Sequence, residues 1–354
     1  MSIVGAFDIH RGQLSFEYLD SRSGEVCRGR IVPADREHLR DWLAQFGRRQ
    51  KVEFAMEGCT GWRYVAEELA RIGAVAHVAE PADTAALRGK KRRAKTDRSD
   101  TAHLRELLVS GRLPESWIPP ACVLEARAKV RLYRDLAEVR TRWNQLVHAS
   151  LFHLGVPVIA GGITTAAGRE ALARAELPPA VRQAVTIGME AIDQRGAQLE
   201  SLRAELTRIA RAQPACRALH AGLFGVGTLT SVFIWAEMGD ARRFHTSDDA
   251  VRHAGLDITV YASDDHRAPR HLSRQGPGAL RWALYEAAKS AARPTSPDHA
   301  YYAAVRARQG AHRATLSVAR KLARRSHHIL RAAGDDVLAD WATPVRDHMA
   351  TKVA

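Results

Sequence analysis

The chain has 354 residues, a length that suits two or three domains. With 46% apolar and 26% charged residues it is neither a disordered chain nor a collagen, and four scattered cysteines exclude a disulfide scaffold. Lys and Arg number 53 against 39 Asp and Glu, a net charge of +14. Two readings of that excess are open: attraction to polyanions such as nucleic acid or an anionic membrane face, or the Ala- and Arg-rich background of a basic proteome.

In chain order, residues 1–115 read as α/β. The segment 3–9 is a short apolar strand, 13–19 alternates as a half-buried strand, and 25–32 pairs with it as a third. Helical spacing follows over 33–47, with Leu39, Trp42, Leu43 and Phe46 on one face; then come a strand at 52–56, a helix at 62–72, a strand at 74–79 and a helix at 99–109. Three strands, helix, strand, helix, strand, helix is the order of a ribonuclease-H-like fold.

Residues 116–213 form the second expected domain. The stretches 121–154 and 167–212 are long and rich in Ala, Leu, Arg and Glu. Leu132, Leu136, Val139, Trp143, Leu146 and Val147 fall at helical spacing, as do Leu199, Leu202, Leu206 and Ile209. Gly155, Pro157, Gly161 and Gly162 lie between the stretches, which predicts an antiparallel hairpin or coiled coil that serves as a spacer, a dimer seam or an RNA-gripping arm.

The third expected domain, 214–354, is mostly helical: 228–238, 247–254, 280–292 and 300–333, with 257–261 extended. From 299 to 334 there are eight basic residues, among them Arg306, Arg308, Arg313, Arg320, Lys321 and Arg324, and no acid. A solvated helix ordinarily mixes signs, so this one-sign stretch predicts a phosphate-facing surface. No basic leader opens the chain and no apolar run approaches the ~18 residues of a membrane span. Cys27, Cys59, Cys122 and Cys216 read as reduced, buried thiols of a cytoplasmic protein.

Four carboxylates carry the chemistry. Asp8 ends the first strand, Glu57 follows the fourth, and Asp97 and Asp100 open the helix behind them, three apart and so on one face. In a ribonuclease-H-like sheet these positions converge. Crowded like charges call for a divalent cation, and hard oxygen donors suit Mg2+ or Mn2+. Taken singly, each acid is also an ordinary turn or helix-capping residue. The block Arg88, Lys90, Lys91, Arg92, Arg93 and Lys95 leads into the acids, as suits a phosphodiester held against metal.

A second constellation surrounds Ser263, followed by His266, Arg267, Arg270, His271, Ser273 and Arg274. Nearby cations stabilise an attacking alkoxide and the charge that develops at phosphorus. The plainer reading is a turn serine, since Ser263-Asp264-Asp265 is good turn chemistry. No G-x-S-x-G elbow supports an esterase.

These stretches together resemble the IS110-family transposases over essentially the whole chain. The resemblance rests on Phe7-Asp8-Ile9-His10, Met56-Glu57-Gly58-Cys59-Thr60-Gly61 and Lys95-Thr96-Asp97-Arg98-Ser99-Asp100. Further on it rests on Gly225-Val226-Gly227, Glu237-Met238-Gly239-Asp240, Arg243-Phe244, Ala254-Gly255-Leu256, Ser263 and Leu272-Ser273-Arg274-Gln275-Gly276 with Leu280-Arg281. It implies a RuvC-like domain whose DEDD tetrad (Asp8, Glu57, Asp97, Asp100) binds Mg2+, and a transposase domain whose nucleophilic serine is Ser263. It further implies a phosphoserine intermediate, a site composed from different protomers of a dimer or tetramer, a structured non-coding guide RNA, donor and target DNA, and a bacterial cytoplasmic location. Asp264 stands where many relatives carry glycine, and Ser273 is the alternative serine. Two other readings use the same residues: a metal-dependent junction nuclease that hydrolyses with water, and a non-catalytic nucleic-acid-binding protein.

Overall fold

Alternation along the first strand sorts its side chains onto two unlike faces. In the computed structural model, β1 (Ser2–Ile9) pairs antiparallel with β2 (Leu14–Asp20), which pairs with β3 (Val26–Ile31). After α1 (Arg36–Leu43), β4 (Lys51–Glu57) lies parallel to β1; after α2 (Trp62–Arg71), β5 (Val75–Ala79) lies parallel to β4. Then come α3 (Pro81–Ala86), α4 (Asp97–Val109) and the short antiparallel edge β6 (Glu115–Ser116). The sheet order is β3-β2-β1-β4-β5-β6. Described are residues 2–46, 50–88, 97–259, 262–263, 266–267 and 271–340, with the backbone alone at 97–98, 259, 262–263, 266–267 and 271. They divide into two compact units, Met1–Ile118 and Pro119–Ala354.

On one face of the sheet Phe7, Phe54 and Met56 pack with Leu39 and Leu43 of α1 and Val65 and Leu69 of α2, all buried. The Phe7 and Phe54 rings stack at 4.6 Å and Trp42 meets Phe7 edge-on at 5.6 Å. The other face is nearly flat. Ala6, Ala55 and Ala79 give α4 room to settle close, with Leu104 buried against them. Burying Leu104 contributes about 2 kcal/mol. A buried ionic clasp fixes α4 sideways: Glu17 of β2 accepts from Arg28 Nε at 2.5 Å and from Arg105 Nε of α4 at 2.7 Å. This mixed α/β unit fits a RuvC-like domain, as expected.

The second unit is mostly helical. α5 (Ala121–His153), α6 (Ala166–Arg174) and α7 (Pro179–Ala212) come first. α5 and α7 run antiparallel, since Val147 abuts Gly188 while Lys129 pairs with Glu205. Then come α8 (Pro214–Gly222), α9 (Thr228–Met238), buried from Ser231 onward, and α10 (Ser247–His253). Two short ladders follow: β7 (Ile258–Thr259) with β10 (His271–Leu272), and inside them β8 (Ala262–Ser263) with β9 (His266–Arg267). The helices α11 (Gly278–Ala288), α12 (His299–Gln309) and α13 (Ala311–Ala332) close the unit.

Several expectations change. The single helix expected over 167–212 is two, because Pro178 and Pro179 interrupt it. The helix expected over 300–333 breaks at Gly310, whose φ of 84° lies in the left-handed region. Along α5 the buried positions are Val123, Ala126, Val130, Val147 and Leu151, while Leu132, Val139 and Leu146 stay about half-exposed. Of the cysteines, Cys216 alone is buried, and the other three are partly exposed free thiols. Among the described residues no helix is long and apolar enough to cross a membrane.

Candidate active site

The flat face of the sheet carries the acids. Phe7 and Met56 are register partners in the parallel pair β1–β4, so Asp8 and Glu57 end the two strands side by side. Both lie two residues beyond the alanines that face α4, and therefore on that same face. On α4, Asp100 stands one turn before Leu104 and Asp97 three residues earlier still, so the first turn of the helix overhangs the strand ends. Sheet register and helix packing thus bring all four predicted positions to one edge of the unit.

Arg88 joins them. Its Nη1 donates to Asp100 Oδ1 at 2.5 Å and its Nη2 lies 3.8 Å from Glu57 Oε1. The sequence predicts that it faces phosphate; in this structure it pairs with the two carboxylates. On the far side Asp8 Oδ2 is 3.1 Å from His10 Nε2. Among the described residues no three His, Cys, Asp or Glu side chains form a metal-holding group, and the Asp97 side chain is not among those described. The donor chemistry nevertheless fits a divalent ion: hard carboxylate oxygens on two rigid strands and a helix, beside a guanidinium that holds part of their charge. Of the rest of the predicted basic block, Lys90, Lys91, Arg92, Arg93 and Lys95 lie outside the described residues.

In the second unit the backbone puts Ser263 opposite His266, at the inner end of the two-tier hairpin, and Arg267 opposite Ala262. Arg270 lies outside the described residues. Ser273 belongs to the base of the hairpin: its hydroxyl donates to Asp257 Oδ1 and its N–H to Asp257 O at 3.1 Å. Arg274 is exposed beside it.

Several tail cations have partners within the unit, Arg320, Lys321 and Arg324 among them. Arg320 donates to Leu256 O at 2.6 Å, and burial lowers its pKa. Lys321 Nζ reaches buried Asp298 at 2.7 Å, and Arg325 grips the same carboxylate at 2.6 and 3.0 Å. Arg324 pairs with the exposed Asp248 at 2.6 Å. A one-sign stretch arises here because its acids are supplied by other segments. Arg306, Arg308 and Arg313 remain exposed.

Sequence reasoning missed a buried ionic junction. Glu237, fully buried at the end of α9, takes Arg131 of α5 through two bonds of 2.8 and 2.9 Å. Arg127 donates to the carbonyls of Ala236 and Glu237 at 2.6 and 3.0 Å. Burial pulls Arg127 and Arg243 down to about 10, and burial with Arg243 beside it pulls His253 down to about 3, so that this imidazole stays neutral. The conspicuous Glu237-Met238-Gly239-Asp240 stretch was the signal available.

The first unit is thus a mixed α/β sheet that fits a RuvC-like domain, with acids at its strand ends, and the second unit is mostly helical. Two family models match: one for the DEDD transposase of IS110 elements, described as a transposase, over residues 6–154, and one described as Transposase IS116/IS110/IS902 family over residues 217–303. No curated protein matches the chain. The chain belongs to the IS110 family of transposases. It is accordingly a DNA recombinase, and its DEDD domain indicates a divalent-metal-dependent reaction.

Proposed function

We propose that this transposase is an RNA-guided recombinase in which Asp8, Glu57, Asp97 and Asp100 hold Mg2+, with Mn2+ able to substitute, and Ser263 is the nucleophile. The observation that carries the reading is the meeting of Asp8 and Glu57 at paired strand ends under the helix turn that bears positions 97 and 100. When bound, the ion polarises the scissile phosphate and eases departure of the leaving oxygen. The chain fixes the carboxylates on rigid elements, and Arg88, released from Glu57 and Asp100, becomes available to a phosphate oxygen. Ser263 Oγ forms a bond to phosphorus as the bond from phosphorus to the deoxyribose oxygen breaks. The serine proton leaves to water and the departing oxygen gains one. Rejoining reverses the step with the hydroxyl of a new strand. Segment 1–115 supplies the acids, 116–213 the helical hairpin and 214–354 the serine.

The net charge of +14 supports a structured guide RNA as well as donor and target DNA. If base pairing supplies the specificity, side chains need not encode the target. We further propose a homo-oligomer, a dimer that pairs into a tetramer, in the bacterial cytoplasm. The test compares Asp8→Asn and Ser263→Ala on labelled donor DNA with the guide RNA present. Both lose strand exchange, Asp8→Asn keeps DNA binding, and Ser263→Ala also loses the covalent protein–DNA adduct. Retained cleavage in Ser263→Ala identifies a hydrolytic junction nuclease instead, and full activity in Asp8→Asn overturns the metal site.

A further inference from the structure

A cavity of about 670 Å3 in the second unit lies beside the base of the serine hairpin. α5 forms one wall through Arg131 and Arg134; the start of α11 forms the other through Arg281, Trp282 and Tyr285; Arg274 stands at the hairpin side. Its acids are spent or peripheral. Glu237 is held by Arg131, Glu138 pairs with Arg134, and Asp135 sits exposed. Arg274 and Arg281, by contrast, have no ion-pair partner among the described residues. Arg281 Nη1 donates to the Ala254 carbonyl at 3.2 Å. Burial, then the positive neighbours Arg274 and Arg134, disfavour its charge.

The backbone is shaped to keep these cations in place. Arg274 itself has a left-handed φ of 52°, the sole non-glycine to do so among the described residues. Gly255 also has positive φ, and a Cβ there would lie 2.6 Å from Arg281 Nη1. Such conformations persist where the surroundings over-determine them, commonly at ligand sites. Beside the cations are flat aromatic faces: Trp282, with the Arg134 guanidinium 5.4 Å from its centroid, and Tyr285, hydrogen-bonded to His312 at 2.9 Å.

We propose that this cavity holds one unpaired nucleotide of a nucleic-acid strand, its phosphodiester on Arg274 and Arg281 and its base against Trp282 and Tyr285. The volume is that of a small-ligand site and not of a duplex groove. Guanidinium with aromatic faces is the chemistry that grips a single strand without reading its sequence. The proposal stands apart from the DEDD carboxylates and does not require Ser263 to be the nucleophile.

The test uses the full chain and fluorescence anisotropy with short labelled single-stranded DNA, single-stranded RNA and blunt duplex. Arg274→Gly removes the guanidinium while relieving the left-handed backbone, and Arg281→Gln removes the second charge. Circular dichroism melting checks folding; Arg274 is exposed, so its variant stays informative even if Arg281→Gln unfolds. The expected result is single-strand binding weakened about ten-fold with duplex binding within about two-fold of the parent. Loss with DNA alone, RNA alone or both supports the site and names its occupant. Single-strand binding within about two-fold of the parent, or duplex binding lost equally, overturns it. Anisotropy reads binding with no strand exchange, which separates this outcome from a failure of the serine mechanism.

Discussion

Glu237→Gln tests whether the family's Glu237 stretch serves architecture. The carboxylate is fully buried, takes two bonds from Arg131, and has Arg127 Nε 3.8 Å away. Arg127 also covers the last carbonyls of α9, where a cation complements the helix end. Burial already lowers Arg127 to about 10 against the opposing pull of Glu237. The amide leaves two guanidinium groups without their counter-charge in the junction between α5 and α9. Breaking a buried pair costs about 3–5 kcal/mol. The Arg131 side chain is 56% exposed and screened by water, so the lower end, about 3 kcal/mol, applies. For a unit of this size each kcal/mol moves Tm by roughly 2–4 °C, so melting falls by roughly 6–12 °C in calorimetry at neutral pH. A cycle with Arg131→Gln should show coupling above about 1 kcal/mol. A Tm change below about 2 °C, or strict additivity, refutes the junction's structural role.

Three further outcomes follow from the geometry. Asp298 is buried, which by itself would raise its pKa, but Arg325 and Lys321 prevail and hold it below the usual carboxylate range. Its stabilisation is therefore complete above about pH 4 and is lost as pH falls through the lower folded value, so acid titration followed by circular dichroism should show Asp298→Asn and the parent converging only in strong acid. Ala55→Leu should overpack the flat face at about 1–3 kcal/mol and lift α4 with its acids, so that metal-dependent cleavage falls much further than melting temperature; unchanged cleavage would show that α4 tolerates displacement. Finally, DNA affinity should fall steeply with salt, and Arg306→Ala with Arg313→Ala should reduce that slope by about one for each phosphate no longer neutralised, whereas Arg320→Ala should lower stability and leave the slope unchanged.

The sheet and the positions of its acids were legible in the sequence because both depend on local signals. Asp8 and Glu57 fall at the ends of two short apolar stretches, and three-residue spacing puts 97 and 100 on one helix turn. The breaks at Pro178-Pro179 and Gly310 were present in the sequence too, but a long helical periodicity masked them. What could not be read was pairing over distance. Arg88 lies 31 residues from Glu57 in sequence yet answers it in space, and Glu17 finds Arg105 across 88 residues.

That distinction bears on the charge itself. An arginine-rich stretch reports a polyanion surface only where its guanidinium groups lack partners, and partners come from anywhere in the chain. The tail helix shows such partners: Asp298 pairs with Lys321 and Arg325, and Asp248 pairs with Arg324, both acids lying in earlier segments. Arg274 and Arg281 show the converse. Arg274 belongs to the cationic segment after Ser263 and Arg281 to no basic run, yet among the described residues both lack an ion-pair partner beside aromatic faces, and Arg274 is held in a left-handed backbone. The density of basic residues in the sequence therefore ranks the surfaces differently from the geometry: among the described residues it is Arg274 and Arg281, with the arginines exposed on α12 and early α13, that have no ion-pair partner.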